Sequence, residues 1–234
     1  AQLRSYRLAV ACTGEYAVAV GGTSAALLHS AIVTTVNRVN GVYEQEVAIR
    51  LVLIASNNLV EFLDANTDPF TGNNSATTLI NESQTVMNNF IGSANYDIGH
   101  TFSTGGGGLA QLGCVCTASK ARGITGSTFP FGDAYDIDYV AHEMGHQFGG
   151  QHTFNATTGS CSGNGSSSSN TEPGSGTTIM AYAGICTTND VQPHSDPQFQ
   201  GISFDQIGTF SRSGSGNTCG TVINTGNTAP VVNA

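Results

Sequence analysis

The hydrophobic and polar positions along the chain fall into segments of two different periods. Residues 3–11, LRSYRLAVA, begin in alternation and pass into an apolar run, which predicts a strand. Residues 24–39, SAALLHSAIVTTVNRV, space their apolar positions by three and four behind a small-residue entry, which predicts a long helix. VAIRLVLIA at 47–55 reads as a strand apolar enough to lie centrally in a sheet. A second helix is expected over about 79–91 and a short strand over 97–103, in which His100 reads as a hydrogen-bonded structural histidine rather than a ligand. LAQLGCV at 109–115 predicts another short strand. Ser203 with Gln206 forms a capping-box pattern that would open a last helix over about 204–211.

The segments between carry turn formers. In DANTDPFTGNN, 64–74, Asp64, Asn66 and Asp68 alternate as at the start of a calcium loop, yet Pro69 stands where the glycine belongs and Ser75 where the bidentate glutamate belongs. An Asx-rich turn is the leading reading, with Ca2+ as its alternative. GGGG at 105–108 has no Lys-Ser or Lys-Thr after it, so it reads as a flexible approach to the next strand rather than a phosphate loop. SGNGSSSSNTEPGSGTT at 162–178 is polar throughout and predicts a long surface loop whose serines lack a nucleophile-elbow setting. The stretch 221–234, after Cys219, reads as a tail or linker.

Composition narrows the class. A length of 234 residues suits one large domain, and 39% hydrophobic with 10% charged residues and 30 glycines describes a globular, loop-rich, weakly charged chain. A net charge of -9 argues against nucleic acid or an anionic membrane as partner, since both need basic patches. No apolar stretch reaches the length of a membrane span, and the start at Ala1 is what a processed, exported chain would show. Six cysteines, Cys12, Cys114, Cys116, Cys161, Cys186 and Cys219, include no CxxC pair, which favours disulfides in a secreted protein over cysteine-ligated zinc.

The chemistry concentrates in AHEMGHQFGGQH, 141–152. On a helix, His142 and His146 stand one turn apart and project from one face, so both imidazoles reach a single ion. Gly149 and Gly150 break that helix and let the chain bring His152 back as a third ligand. Three imidazoles and one open position make a catalytic zinc site rather than a closed structural one. Glu143 is rotated about 100° from His142 around the helix, beside the ion rather than on it, where a general base belongs. Zinc would polarise a bound water and the carboxylate would take its proton.

HEMGHQFGGQH, followed by TTIMAY with Met180 lying 28 residues after His152, resembles the zinc helix and Met-turn of the metzincin metalloproteases, and the order of elements is similar to the reprolysin or adamalysin branch with its bacterial exported members. The resemblance covers about 3–212. It implies an α/β sandwich with a twisted, mostly parallel sheet, one antiparallel edge strand, long helices, and a cleft between an upper lobe (about 1–150) and a smaller C-terminal lobe (about 151–220). It implies zinc on His142, His146 and His152, Glu143 as base, Gly149 as the turn and Met180 as the apolar floor. It also implies that 109–115 is the edge strand along which a polypeptide substrate binds, and that 181–186 walls the pocket for the residue after the scissile bond. Two positions depart from the adamalysin pattern: Thr153 replaces the usual aspartate after the third histidine, and Tyr182 replaces the usual proline. In Met-x-Tyr families that tyrosine resembles a movable zinc ligand that later donates to the oxyanion, so Tyr182 is either a catalytic donor or pocket wall. Cys161 and Cys186 bracket the polar loop and the Met-turn, and a bridge between them would tether both; the pairing of the other four cysteines stays open.

The leading functional expectation is a secreted, monomeric zinc endopeptidase. The alternatives are a non-catalytic protein-binding module with structural zinc, in which Glu143 would have no role, and a zinc hydrolase of a non-peptide amide or ester.

Overall fold

The protein is described by a computed structural model over residues 1–228. β1 (Gln2–Cys12) is the spine of the sheet. Its side chains Tyr6, Leu8, Val10 and Cys12 enter one buried cluster while Ala9 and Ala11 enter another, so the strand is covered on both faces. β2 (Ile49–Leu53) and β3 (Ile98–Ser103) each pair parallel with β1, and both meet Leu8, so they occupy its opposite edges. β5 (Gly123–Gly126) runs parallel beside β3, and β4 (Gly108–Ala110) closes that end antiparallel, giving the order β2-β1-β3-β5-β4. This is the mostly parallel α/β sheet with an antiparallel edge strand that the metzincin resemblance implied.

α2 (Ala25–Glu46) starts at Ser24, whose hydroxyl accepts from Leu27 N, and lays Leu28, Ile32, Val36, Val39 and Tyr43 against one face of the sheet. It runs to Glu46, beyond the expected 39, because Gly41 sits in open space and costs only propensity. α3 (Ala76–Phe90) covers the other face with Leu79, Ile80, Val86 and Met87. Neither the short α1 (Gly14–Ala19) nor β5, four residues of which two are glycine, has a legible pattern in sequence.

Several expectations are corrected. β2 is terminal, not central: Ile49 and Leu51 are buried while Arg50 and Val52 face solvent, an alternation the dense apolar run concealed. The strand expected at 109–115 pairs only over Gly108–Ala110; past Gln111 the chain turns so that Gly113 N donates to His146 O and Val115 N to Gln147 O. The backbone there bonds to the motif helix instead of lengthening the ladder, Cys114 and Val115 are buried, and Leu112 is exposed. The expected linker begins with a strand, β6 (Thr221–Asn224), antiparallel to Gln2–Ser5. β1 outruns β3 at that end, and β6 pairs the backbone groups left over, delivered there by the disulfide Cys116–Cys219. Positions 229–234 of that expected tail lie outside the described residues.

α6 (Gly201–Arg212) is capped by Gln200, whose Oε1 accepts from Ile202 N, so the Ser203/Gln206 capping box does not form; Ser203 is buried in the first turn. Cys161 and Cys186 are bridged as expected, but Cys12 and Cys114 are buried free thiols, so the remaining four cysteines contribute only one bridge. Asp64 accepts from Asn66 N, and Asp68 accepts from Phe70 N and Gly14 N. Both carboxylates are committed to shaping the turn and opening α1, which supports the Asx-rich reading and not calcium.

Candidate metal centre and cleft

The motif lies on a helical stretch of three parts: α4 (Asp133–Tyr135), a π-helical segment Asp136–Ala141, and α5 (His142–Gln147). α2 holds it at two points, Thr35 Oγ1 donating to Asp136 Oδ1 and Tyr43 Oη to Ala141 O. The sheet holds it at a third. Gln147 Oε1 meets the ring of buried His100, whose other nitrogen meets Thr125 Oγ1, and Gln147 Nε2 donates to Gly99 O. A side chain at Gly123 would collide with Gln147, so the glycine in β5 is what lets α5 approach the sheet.

α5 ends in a Schellman turn, with Gly149 at φ +90, Gly149 N donating to His146 O and Gly150 N to Gly145 O. Behind it, α6 supplies Phe210 against Gly149, and Gln206 Oε1 accepts from Gln151 N. The chain therefore returns, and His152 Nε2 lies 2.9 Å from His146 Nε2 and 3.2 Å from His142 Nε2. The sequence spacing and the fold bring the three together.

The donor set tests what this cluster can hold. Each Nδ1 faces a backbone carbonyl: Ile179 O for His142, Gly150 O for His146 and Asn164 O for His152. A carbonyl only accepts, so each Nδ1 carries the proton and each Nε2 presents a lone pair. Three lone pairs then converge with no proton between them, a repulsive arrangement that a cation relieves. Burial first, then the neighbouring imidazoles, keep His142 and His146 below the ordinary histidine range, the latter at about 3. Burial likewise lowers His152. Neutral, convergent imidazoles fixed by outer hydrogen bonds suit a three-nitrogen metal site with an open position.

Glu143 is buried beside the cluster, and its Oε2 has no hydrogen-bond partner among the described residues. Burial pushes its carboxyl up to about 8. A Cβ at Gly108 would overlap Glu143 Oε1, so the last glycine of the GGGG run lets the edge strand pass directly over the carboxylate. Met180 is fully buried beneath α5, with its sulfur against Gly145, where even an alanine methyl would collide. The ring of Tyr182 lies 4.5 Å from that of His152 and 4.6 Å from that of Phe154. Burial, then Glu143 and Tyr139, raise its phenol.

A cavity of about 440 Å³ opens on one side of Glu143 and one of about 430 Å³ on the other; both are bordered by Gly108, Glu143, Asn164 and Tyr182. Together they form a cleft running along β4. The segment 181–186 borders the first cavity through Ala181, Tyr182, Ala183 and Ile185.

Sequence reasoning missed Glu172 and Asn164, both in the supposed surface loop. Glu172 is buried and accepts from the hydroxyls of Thr153 and Thr178 and from Thr177 N and Thr178 N. It ties the residue after His152 to the approach to Met180. The signal was present: Glu172 is the only charged residue in 162–178. It also accounts for Thr153, because the carboxylate expected at 153 arrives from across the loop.

A helix-sheet-helix domain with three convergent imidazoles above a buried methionine defines the metallopeptidase class. Residues 2–208 match the model of the metallo-peptidase family M12B, reprolysin-like, and the chain belongs to that family. No curated protein matches it. Among solved structures, it is similar at a TM-score of 0.53 and 16% identity to a chain described as "Structure of a chaperone-substrate complex", covering 91% of this chain and 35% of that one. That likeness shows the fold, and the present chain spans only about a third of that chain's length.

Proposed function

We propose that the protein is an exported zinc endopeptidase in which His142, His146 and His152 hold the metal and Glu143 is the general base. The observation that carries this reading is the unpartnered, buried Glu143 Oε2 beside three convergent Nε2 lone pairs. A purely structural metal would need only the imidazoles, whereas burying a carboxylate oxygen without a partner costs stability and calls for a use.

The polypeptide lies extended along β4, which is terminal in the sheet and leaves one backbone edge free to pair. Bound zinc supplies Lewis acidity toward a water and the scissile carbonyl oxygen. Glu143 takes the proton from the attacking water and delivers it to the leaving amine; a carboxyl raised by burial is suited to both halves of that transfer. Tyr182 Oη donates to the oxyanion as it develops. Two disulfides, and the lack among the described residues of a helix long and apolar enough to cross a membrane, are compatible with export.

The test is digestion of a denatured protein with and without a zinc chelator, with cut sites read by mass spectrometry, run beside Glu143→Gln. Chelator-sensitive internal cleavage, lost by about 10²-fold or more in a variant that keeps its zinc, is expected. Full activity in Glu143→Gln overturns the base assignment, and no cleavage with zinc bound leaves the non-catalytic module.

A further inference from the structure

The cavity of about 440 Å³ beside Glu143 carries a second carboxylate that the peptidase chemistry does not use. Asp138 lies in the π-helical segment, one turn before His142, and borders this cavity with Tyr139, Ala134 and Pro193. Its Oδ2 meets His194 Nδ1 at 2.7 Å and its Oδ1 accepts from Ser195 N at 2.8 Å. The Asp138 side chain is 13% exposed and that of His194 is 63% exposed. The carboxylate is thus held at the wall, while its imidazole partner lies mostly in solvent. Two protein donors leave about half of a carboxylate's acceptor sites open.

No lysine or arginine borders the cavity. Arg38, on the neighbouring α2, is spent on Asp133 through both Nε and Nη2. Gly106–Gly108, Ala181, Ala183 and Ile185 give it small and apolar surface, and the polar side chains of Ser160, Asn164 and Tyr182 on its wall are uncharged. A chamber with hydrocarbon surface, an anchored carboxylate and no lysine or arginine suits a side chain with a long hydrocarbon stem and a cationic head.

We propose that Asp138 sets side-chain preference at this pocket, selecting lysine or arginine immediately after the scissile bond and rejecting aspartate and glutamate. The inference rests on the peptidase reading. The entering ammonium or guanidinium bonds Asp138 beside or in place of His194, and an acidic side chain meets like charge with no lysine or arginine to compensate it.

The test is cleavage of a peptide library varied at the residues flanking the cut, followed by kcat/KM for matched peptides with Arg, Lys, Leu and Glu after the cut. Wild type is expected to prefer Arg and Lys to Leu by about ten-fold and to reject Glu. Asp138→Asn, which preserves shape and can still accept from Ser195 N, should cut the Arg-to-Leu ratio by about ten-fold. Asp138→Lys should shift the ratio toward Glu. Cleavage that favours Leu or Phe in wild type, or an Arg-to-Leu ratio unchanged in Asp138→Asn, overturns this inference alone. Failure to cleave any library member with zinc bound overturns it together with the peptidase reading.

Discussion

Glu172 is the residue whose removal should show most clearly how the 162–178 loop supports the metal centre. Its Oε1 accepts from Thr177 N and Thr178 N, and its Oε2 from the hydroxyls of Thr153 and Thr178. Thr153 and Thr178 are buried, so Glu172→Ala strands their donors away from water, whereas Thr177 N is near enough to the surface to be solvated. Two or three buried donors left unpaired, at about 1 kcal/mol or more each, put the cost near 3 kcal/mol. Glu172→Gln should behave differently. Its carbonyl oxygen can keep the two amide bonds, and its NH2 can face the hydroxyls, which turn from donors into acceptors. What it loses is the charge assistance, about 1 kcal/mol. Thr153 adjoins His152, and Thr178 adjoins Ile179, whose carbonyl orients His142. Glu172→Ala should therefore also speed zinc release to a chelator by about ten-fold or more, with Glu172→Gln close to wild type. Urea unfolding of zinc-loaded protein and stopped-flow release with a chromogenic chelator measure the two effects. Equal costs for the Ala and Gln variants, or wild-type zinc release in Glu172→Ala, would refute the reasoning.

Tyr182→Phe should lower kcat by about ten-fold or more while zinc content and melting temperature hold, because the ring packing on His152 and Phe154 survives; an unchanged kcat makes Tyr182 pocket wall only. His100 supplies a pH signature of stability. Burial lowers it from 6.5 to about 4, so the unfolded chain takes up that proton first as pH falls; stability is complete above pH 6.5 and about 3 kcal/mol is lost by the time pH passes through 4. His100→Gln should flatten that part of the urea-midpoint-versus-pH curve, and an unaltered slope would exclude His100 as its source. Replacing Cys161 and Cys186 together by serine should cost about 3 kcal/mol through the loop they close, measured by urea unfolding, with little effect on the hydrogen-exchange protection of β1 and β3.

What the sequence determined by itself is whatever depends on short-range spacing. His142 and His146 share a helix face because their separation matches the helical turn, Gly149 ends that helix because a left-handed turn favours glycine, and β1, α2, α3 and β3 follow from apolar periodicity. Even the structural role of His100 and the Cys161–Cys186 bridge were legible, one from its place inside a short predicted strand and one from the loop it brackets. The tertiary structure decided everything that joins distant segments through hydrogen bonds. Local pattern cannot say that β2 ends the sheet, that Gly108 makes room for Glu143, or that Gly145 makes room for Met180. Nor can it say that Glu172 meets Thr153, or that Asp138 meets His194, because polar loop residues have no period and their partners are chosen only by the packed backbone. The same holds for β6, whose exposed side chains carry no signal and whose place is set by the unpaired end of β1 and the Cys116–Cys219 bridge. Periodicity records which face of an element is buried; it does not record which other element covers it.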